Sequence, residues 1–375
     1  MREGGGVMRP VGNPFRPSFG TSPRVVAGRA DLLDEFDIAL DEGPGSPMRS
    51  ILLSGARGMG KTVLLNELEE RARVRGWHVL RLPEGPGLMS ELERTVLPAR
   101  LTEHDPSAQR RRITGGSISA VGSVSTDTSE TYPTTPSVAT MLQRLTDIAR
   151  SHGTGVLLTL DEVQAAPIED VARLASAYQH LLRDESEIAF VGAGLPTGIA
   201  ALLAQQGSTF LRRAERVDLA PLRREEVLDA AVRTVRGAGR VISAEAGGRL
   251  ADVVHGYPYL LQLVGYQAWR AAGDDEVITL ADVEATLPVV VDRMSRLVHT
   301  PALRQVPQGQ LDYLRAMAQD DGPSSTGEVA ARLGVSKQHG NVVRGRLIDR
   351  ELIVPAGHGL VDMALPYLRE HLRRG

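Results

Sequence analysis

Two rhythms of hydrophobic positions run along this chain, and one gives way to the other near residue 223. Before it, short unbroken apolar runs alternate with longer stretches in which apolar residues recur every three or four positions. The unbroken runs are SILLSG (50–55), WHVLRLP (77–83), GVLLTLDE (155–162), EIAFVGAG (187–194) and RVDLAPL (216–222). Runs of that length, apolar on both faces, predict strands buried in a parallel sheet, and the stretches between them predict the helices that cover it. A helix is expected from about Asp31, and another over KTVLLNELEERARVRG, ending at Gly76.

Past Arg223 the unbroken runs vanish and the helical rhythm takes over. REEVLDAAVRTVRG, SAEAGGRLADVVHG, PYLLQLVGYQAWRAAG and TLADVEATLPVVVDRMSRLV predict four helices, the last opened by a capping box of Thr279 and Asp282. After a proline-marked linker near 301–307 come three more helices, GQLDYLRAMAQ, TGEVAARLGV and SKQHGNVVRGRLIDREL. Ser325 with Glu328 is expected to cap the second and Ser336 the third. LIVPAGHGLVDMALP then predicts a hairpin around PAGHG, which completes the order of a winged helix-turn-helix.

The expected organisation is therefore an irregular, flexible arm over 1–20, an α/β domain over 21–222, a helical domain over 223–300 and a winged-helix domain over 301–375. Residues 102–136 interrupt the α/β pattern. They are poor in large apolar residues and rich in Ser, Thr and Gly, and read as an insertion, either a hairpin or an irregular segment.

Composition narrows the chemistry. The chain has 375 residues, enough for two or three domains, and its net charge of −3 excludes a globally basic nucleic-acid coat while leaving room for a local basic patch. It has no cysteine, so disulfides, thiolate metal sites and cysteine nucleophiles are excluded. Its nine histidines show no HExxH spacing, which speaks against zinc. No apolar run reaches the roughly 18 residues of a membrane span, and the N-terminal MREGGGVMRPVGNPF has no hydrophobic segment of a secretion signal. A cytoplasmic protein with no membrane partner is the expectation.

Lysine stands only at 61 and 337; the other 41 of the 43 basic residues are arginine. Lys61 lies in Gly55-Ala-Arg57-Gly58-Met59-Gly60-Lys61-Thr62, which fits G-x-x-x-x-G-K-[ST], a phosphate-binding P-loop, after a strand and at the start of a helix. The glycines let backbone N–H groups turn inward around phosphates, and the following helix aims its positive end at them. A compact ammonium fits such a cradle where a planar guanidinium would be too bulky. Lys61 is thus assigned to the β- and γ-phosphates of ATP and the Thr62 hydroxyl to Mg²⁺, with Arg57 and Met59 in the loop. VLLTLDE ends in a carboxylate pair: Asp161 would enter the Mg²⁺ shell, and Glu162 would deprotonate the attacking water. WHVLRLP falls in sequence between the two motifs, as in P-loop ATPases with an extra central strand.

With these motifs in place, GRADLLDEF (28–36) resembles the GR-x-x-x-L box of AAA+ ATPases of the origin-recognition type and of the related STAND ATPases. The order of P-loop, Asp-Glu strand, helical lid and C-terminal winged helix is similar to theirs over about residues 21–375. The resemblance implies an ATPase with ATP held between the α/β domain and the lid. It implies Gly28 and Arg29 near the adenine, and Pro258 of HGYPYLLQ, with Tyr257 nearby, as a nucleotide sensor at the lid base. It also implies Arg213, before the last strand, as an arginine that reaches the γ-phosphate held by a neighbouring subunit. The same residues read without the resemblance are a turn before a helix, the opening of a core helix and a surface arginine. Two departures stand out. VGAGLP lacks the polar sensor that usually ends the fourth strand, and Tyr259 stands where the lid usually carries an arginine. Slow turnover or a nucleotide-gated switch follows from them.

On the third C-terminal helix, Val343, Leu347 and Ile348 are spaced to pack inward. Lys337, Gln338, Asn341 and Arg344 would share the outward face, flanked by Arg346 and Arg350. Those types contact phosphates and base edges, so double-stranded DNA is one expected partner. Over 309–375, however, nine basic residues meet eight acidic ones, and a protein partner or a second copy of the chain is the alternative.

Overall fold

The computed structural model describes residues 12–18, 20–104, 136–204 and 211–374. They form two compact units. One comprises Asp31–Gly55 and Leu64–Leu219; the other comprises the described residues of Met1–Ala30, with Ala56–Val63 and Ala220–Gly375. Among the described residues no helix is long and apolar enough to cross a membrane.

The first unit is built on five parallel strands: β1 (Ser50–Ser54), β2 (His78–Arg81), β3 (Val156–Leu160), β4 (Ile188–Gly194) and β5 (Glu215–Asp218). Their order across the sheet is β2-β3-β4-β1-β5. β3 and β4 are buried along their whole length, as unbroken apolar runs require. The strand that separates the P-loop strand from the Asp-Glu strand is β4; WHVLRLP, which lies between the two motifs in sequence, forms the edge strand β2. Sequence order and spatial order differ here because parallel neighbours are joined by crossovers. The apolar sides of helices Val138–Ser151 and Ile168–Arg183 pack with Leu158, Leu160 and Phe190 into one core. Ser137 caps the former by accepting from Thr140 N–H at 3.2 Å.

Arg49, at the N-terminal end of β1, is buried in this unit. Its guanidinium donates to Ala39 O, Leu40 O and Glu187 Oε2 at 2.8, 2.7 and 2.6 Å, which offsets the cost of burying its charge. The expected 102–136 insertion lies almost wholly outside the described residues, after helix Leu97–His104.

The second unit contains four longer helices, Arg224–Arg236, Ala244–Val254, Pro258–Ala271 and Leu280–Met294. The capping box of Thr279 and Asp282 is formed. Strands do not vanish entirely after Arg223: β6 (Val241–Ile242) and β7 (Val277–Ile278) pair in parallel and tie two inter-helix turns together. Within the segment expected as an irregular, flexible arm, the described residues 12–18 make specific contacts. Phe15 is buried against Gly265, Asn13 Nδ2 donates to Tyr266 O at 2.9 Å, and Gln262 Oε1 accepts from Arg16 N–H at 3.0 Å.

Toward its C-terminus this unit runs helix Gln308–Met317, β8 (Ser324–Ser325), helix Thr326–Arg332, helix Lys337–Asp349, β9 (Ile353–Pro355) and β10 (Leu360–Met363). The strands pair antiparallel in the order β8-β10-β9 over a core of Tyr313, Leu314, Met317, Val329, Leu347 and Ile353. Ser336 caps its helix by accepting from His339 N–H at 3.2 Å. Ser325 makes no side-chain cap. It is drawn into strand pairing with Leu360, and Thr326 N–H donates to Gly359 O at 2.9 Å instead.

Candidate functional site

In the second unit, the loop that follows β1 bends through Gly58 and Gly60, both at positive φ, before helix Lys61–Val74 begins. Lys61 is only 6% exposed, and its Nζ donates to Ala56 O at 3.2 Å, which folds the ammonium back over its own loop. The start of helix Pro258–Ala271 sits on this loop. Tyr257 donates its hydroxyl to Arg57 O at 3.2 Å. A Cβ added to Gly58 would stand 1.8 Å from that hydroxyl oxygen, so the loop has room for the ring only because residue 58 is glycine. The Pro258 ring lies beside Gly60. Burial, then the charges of Tyr259 and Glu351, push the Tyr257 phenol up to about 12, so it stays a neutral donor at physiological pH.

The N–H of the same Arg57 is taken from another direction. Glu351, in the turn after helix Lys337–Asp349 and at φ 58°, accepts it with Oε2 at 3.2 Å. Sequence reasoning missed Glu351; a lone glutamate in a turn carries no motif.

Gly28 and Arg29 also belong to this unit. Arg29 Nη2 donates to Ala220 O at 2.9 Å, and Gly28 lies against the Glu226 carboxylate in the first turn of helix Arg224–Arg236. Burial lowers the Arg29 pKa, and the nearby Glu226 charge works the other way. Both residues therefore pack against the start of helix Arg224–Arg236 and the segment that leads into it.

In the sheet unit, Asp161 follows β3 at the carboxyl edge of the strands and is 9% exposed. Its Oδ1 accepts from Glu162 N–H at 2.9 Å. Glu162 adopts φ 46°, a left-handed conformation that costs a non-glycine residue roughly 1–2 kcal/mol. Gln164 Nε2 donates to the Glu162 carboxylate, and Gln164 Oε1 accepts from Leu195 N–H, just past β4, at 3.1 Å. Behind this edge, the fully buried Glu69 of helix Lys61–Val74 accepts from Thr159 Oγ1 at 2.7 Å, from Arg73 at 2.8 Å and from Arg81 at 2.6 Å. Burial works against its charged form, but these hydrogen bonds outweigh it and hold the carboxyl below its ordinary range.

Arg213 is not brought to this edge. It precedes β5 and lines an open cavity of about 470 Å³ with Arg49, Gln179 and Arg183, at the end where the strands begin. From there it cannot serve the carboxylates of its own sheet.

Residues 25–191 match the AAA ATPase domain family, and residues 296–372 match a domain of unknown function (DUF8462). The chain is similar in structure to the ORC2 protein of Aeropyrum pernix, solved as ADPNP–ADP complexes, with TM-score 0.62, 14% identity, and 96% of each chain covered. It is also similar to a Walker-type ATPase of Pyrococcus abyssi, with TM-score 0.60 and 15% identity over 93% of this chain and 96% of that one. The fold is that of an origin-recognition-like AAA+ ATPase. No curated protein sequence matches the chain.

The C-terminal helix differs in one respect from its expected form. Lys337, Gln338 and Asn341 are exposed on helix Lys337–Asp349, as are Arg346 and Arg350. Arg344 is half-buried: its Nε is enclosed without a hydrogen bond, and its charge acts on the buried Tyr313 of helix Gln308–Met317. Helix periodicity placed it outward, but the neighbouring helix covers that position.

Proposed function

We propose that this AAA+ chain binds Mg-ATP, hydrolyses it slowly, and uses the nucleotide state to reposition its lid and a C-terminal winged helix. The observation that carries the reading is the seating of Tyr257 and Pro258 against Gly58 and Gly60, which ties the lid helix directly to the phosphate loop. On this reading the loop N–H groups from Gly55 to Gly60 and the Lys61 ammonium hold the phosphates. Thr62 and Asp161 are hard oxygen donors suited to Mg²⁺, which typically takes one or two protein oxygens and completes its shell with phosphate and water. Glu162 serves as the base, and Gly28 and Arg29 border the nucleotide. Arg213, at the far edge of the sheet, acts on the nucleotide of a second copy. The nucleotides named with the Aeropyrum pernix structure support ATP and ADP as the ligands.

Nucleotide binding and phosphate release, measured for the parent, Lys61→Ala and Glu162→Gln, test this. Lys61→Ala is expected to abolish binding, and Glu162→Gln to keep it while losing turnover by at least about a hundredfold. Unchanged binding by Lys61→Ala overturns the site assignment.

For the C-terminal region the proposed partner is double-stranded DNA, through Lys337, Gln338 and Asn341, with Arg344 as a support. A second reading is favoured by Val342, Val354 and Leu360, which expose apolar surface on the same helix and hairpin: the region then docks a protein, and ATP works only as a switch. A duplex titration across salt concentrations separates them. DNA binding gives an affinity that falls steeply with salt, less steeply in Lys337→Ala; a protein-docking face gives no salt-sensitive duplex binding.

A further inference from the structure

The carboxylate assigned as base, Glu162, is not left to find its own position. Its backbone is fixed by the bond from its N–H to Asp161, and its side chain accepts from the carboxamide of Gln164. That carboxamide is itself oriented. Leu195 N–H is a donor only, so it selects the amide oxygen, and a carboxylate accepts, so it selects the amide nitrogen. Among side chains of this length only an amide can bridge the two; a glutamate would set two carboxylates together.

The surroundings leave space for this bridge. A Cβ on Gly194, the last residue of β4, would stand 2.8 Å from Gln164 Oε1, and one on Gly198 would stand 2.5 Å from Gln164 Cβ. Two glycines thus make way for one glutamine, in a segment, VGAGLP, that offers no polar side chain of its own. Because β3 and β4 are hydrogen-bonded neighbours in register, a side chain leaving β3 can reach the end of β4 without a detour.

We infer that Gln164 is the positioning residue of the hydrolytic base: it fixes the direction of the Glu162 carboxylate by tying it to the backbone at the end of β4. This rests on the ATPase reading and adds to it a residue that touches neither nucleotide nor metal in its assigned role. It acts through Glu162 alone, so its removal lowers turnover and leaves nucleotide affinity intact.

Steady-state hydrolysis and equilibrium ATP binding of the full chain, for the parent, Gln164→Ala, Gln164→Glu and Gln164→Asn, decide it. Gln164→Ala is expected to lower kcat roughly ten- to a hundredfold, as misplacement of a catalytic group does, with Kd for ATP within about twofold of the parent's. Gln164→Glu, equal in shape, is expected to fail as badly, because it repels the base. Gln164→Asn, one methylene short, falls no nearer the parent than partway. A Gln164→Glu variant with parental kcat, or a Gln164→Ala variant that loses ATP affinity and kcat together, overturns the inference. If the parent binds and turns over ATP while Gln164→Ala is indistinguishable from it, only the inference falls. If the parent shows no turnover and Lys61→Ala binds ATP as the parent does, the ATPase reading falls and the inference with it.

Discussion

The backbone of Arg57 is held on both sides of its Cα, its carbonyl by the Tyr257 hydroxyl and its N–H by the Glu351 carboxylate. Between them, Gly58 is the residue with the least freedom to change. Its φ of 81° strains any side chain, and the Tyr257 ring occupies the volume a Cβ would need. Gly58→Ala is therefore expected to distort the loop at a cost of at least about 2 kcal/mol and to weaken ATP binding by more than roughly tenfold. Pairing it with Tyr257→Ala should relieve the clash but not the backbone strain, so binding measured by calorimetry should recover only in part. Full recovery would show that φ at this position does not matter.

At the scale of elements, Glu69 fastens the P-loop helix to β2 and β3 through Arg81 and Thr159. Its carboxyl lies below its ordinary value of about 4.5, so the stability it contributes is fully present above that pH and is lost as pH falls through the folded-state value. Glu69→Gln is expected to cost roughly 2 kcal/mol near neutrality and to lose less stability than the parent between about pH 4.5 and 3 in urea titrations. An equal acid loss in both would place the sensitivity elsewhere. The elements themselves were largely legible. Each apolar run became a strand, and the GKT and DE motifs followed strand ends; burial on both faces left its mark in the composition of β3 and β4, whereas β5 is largely exposed. Spatial order did not: β4, not β2, stands between β1 and β3, and nothing in five similar apolar runs encodes which neighbours which. Gln164 and Glu351 were illegible for a related cause. A polar side chain acquires its meaning from the element packed beside it, and that partner lies far away in sequence. Arg344 failed in the opposite direction, since helix periodicity gives a face but not what covers it.

At the scale of the whole molecule, the P-loop peptide and the turn that ends helix Lys337–Asp349 share one carboxylate. A phosphate drawn to the Arg57 N–H would have to displace an anion already there. Glu351→Ala is expected to tighten ATP binding by about 1 kcal/mol, or roughly fivefold, and Glu351→Gln to fall between the two. A weaker-binding Glu351→Ala would mean that the carboxylate supports the loop and does not compete for it. The contact also has an economy that works in both directions. Free energies of coupled sites are reciprocal, so whatever factor ATP loses to Glu351, a ligand that grips helix Lys337–Asp349 and pulls its last turn away must give back. A titration of either ligand in the presence of the other would then read the same number twice, once from each end of the chain.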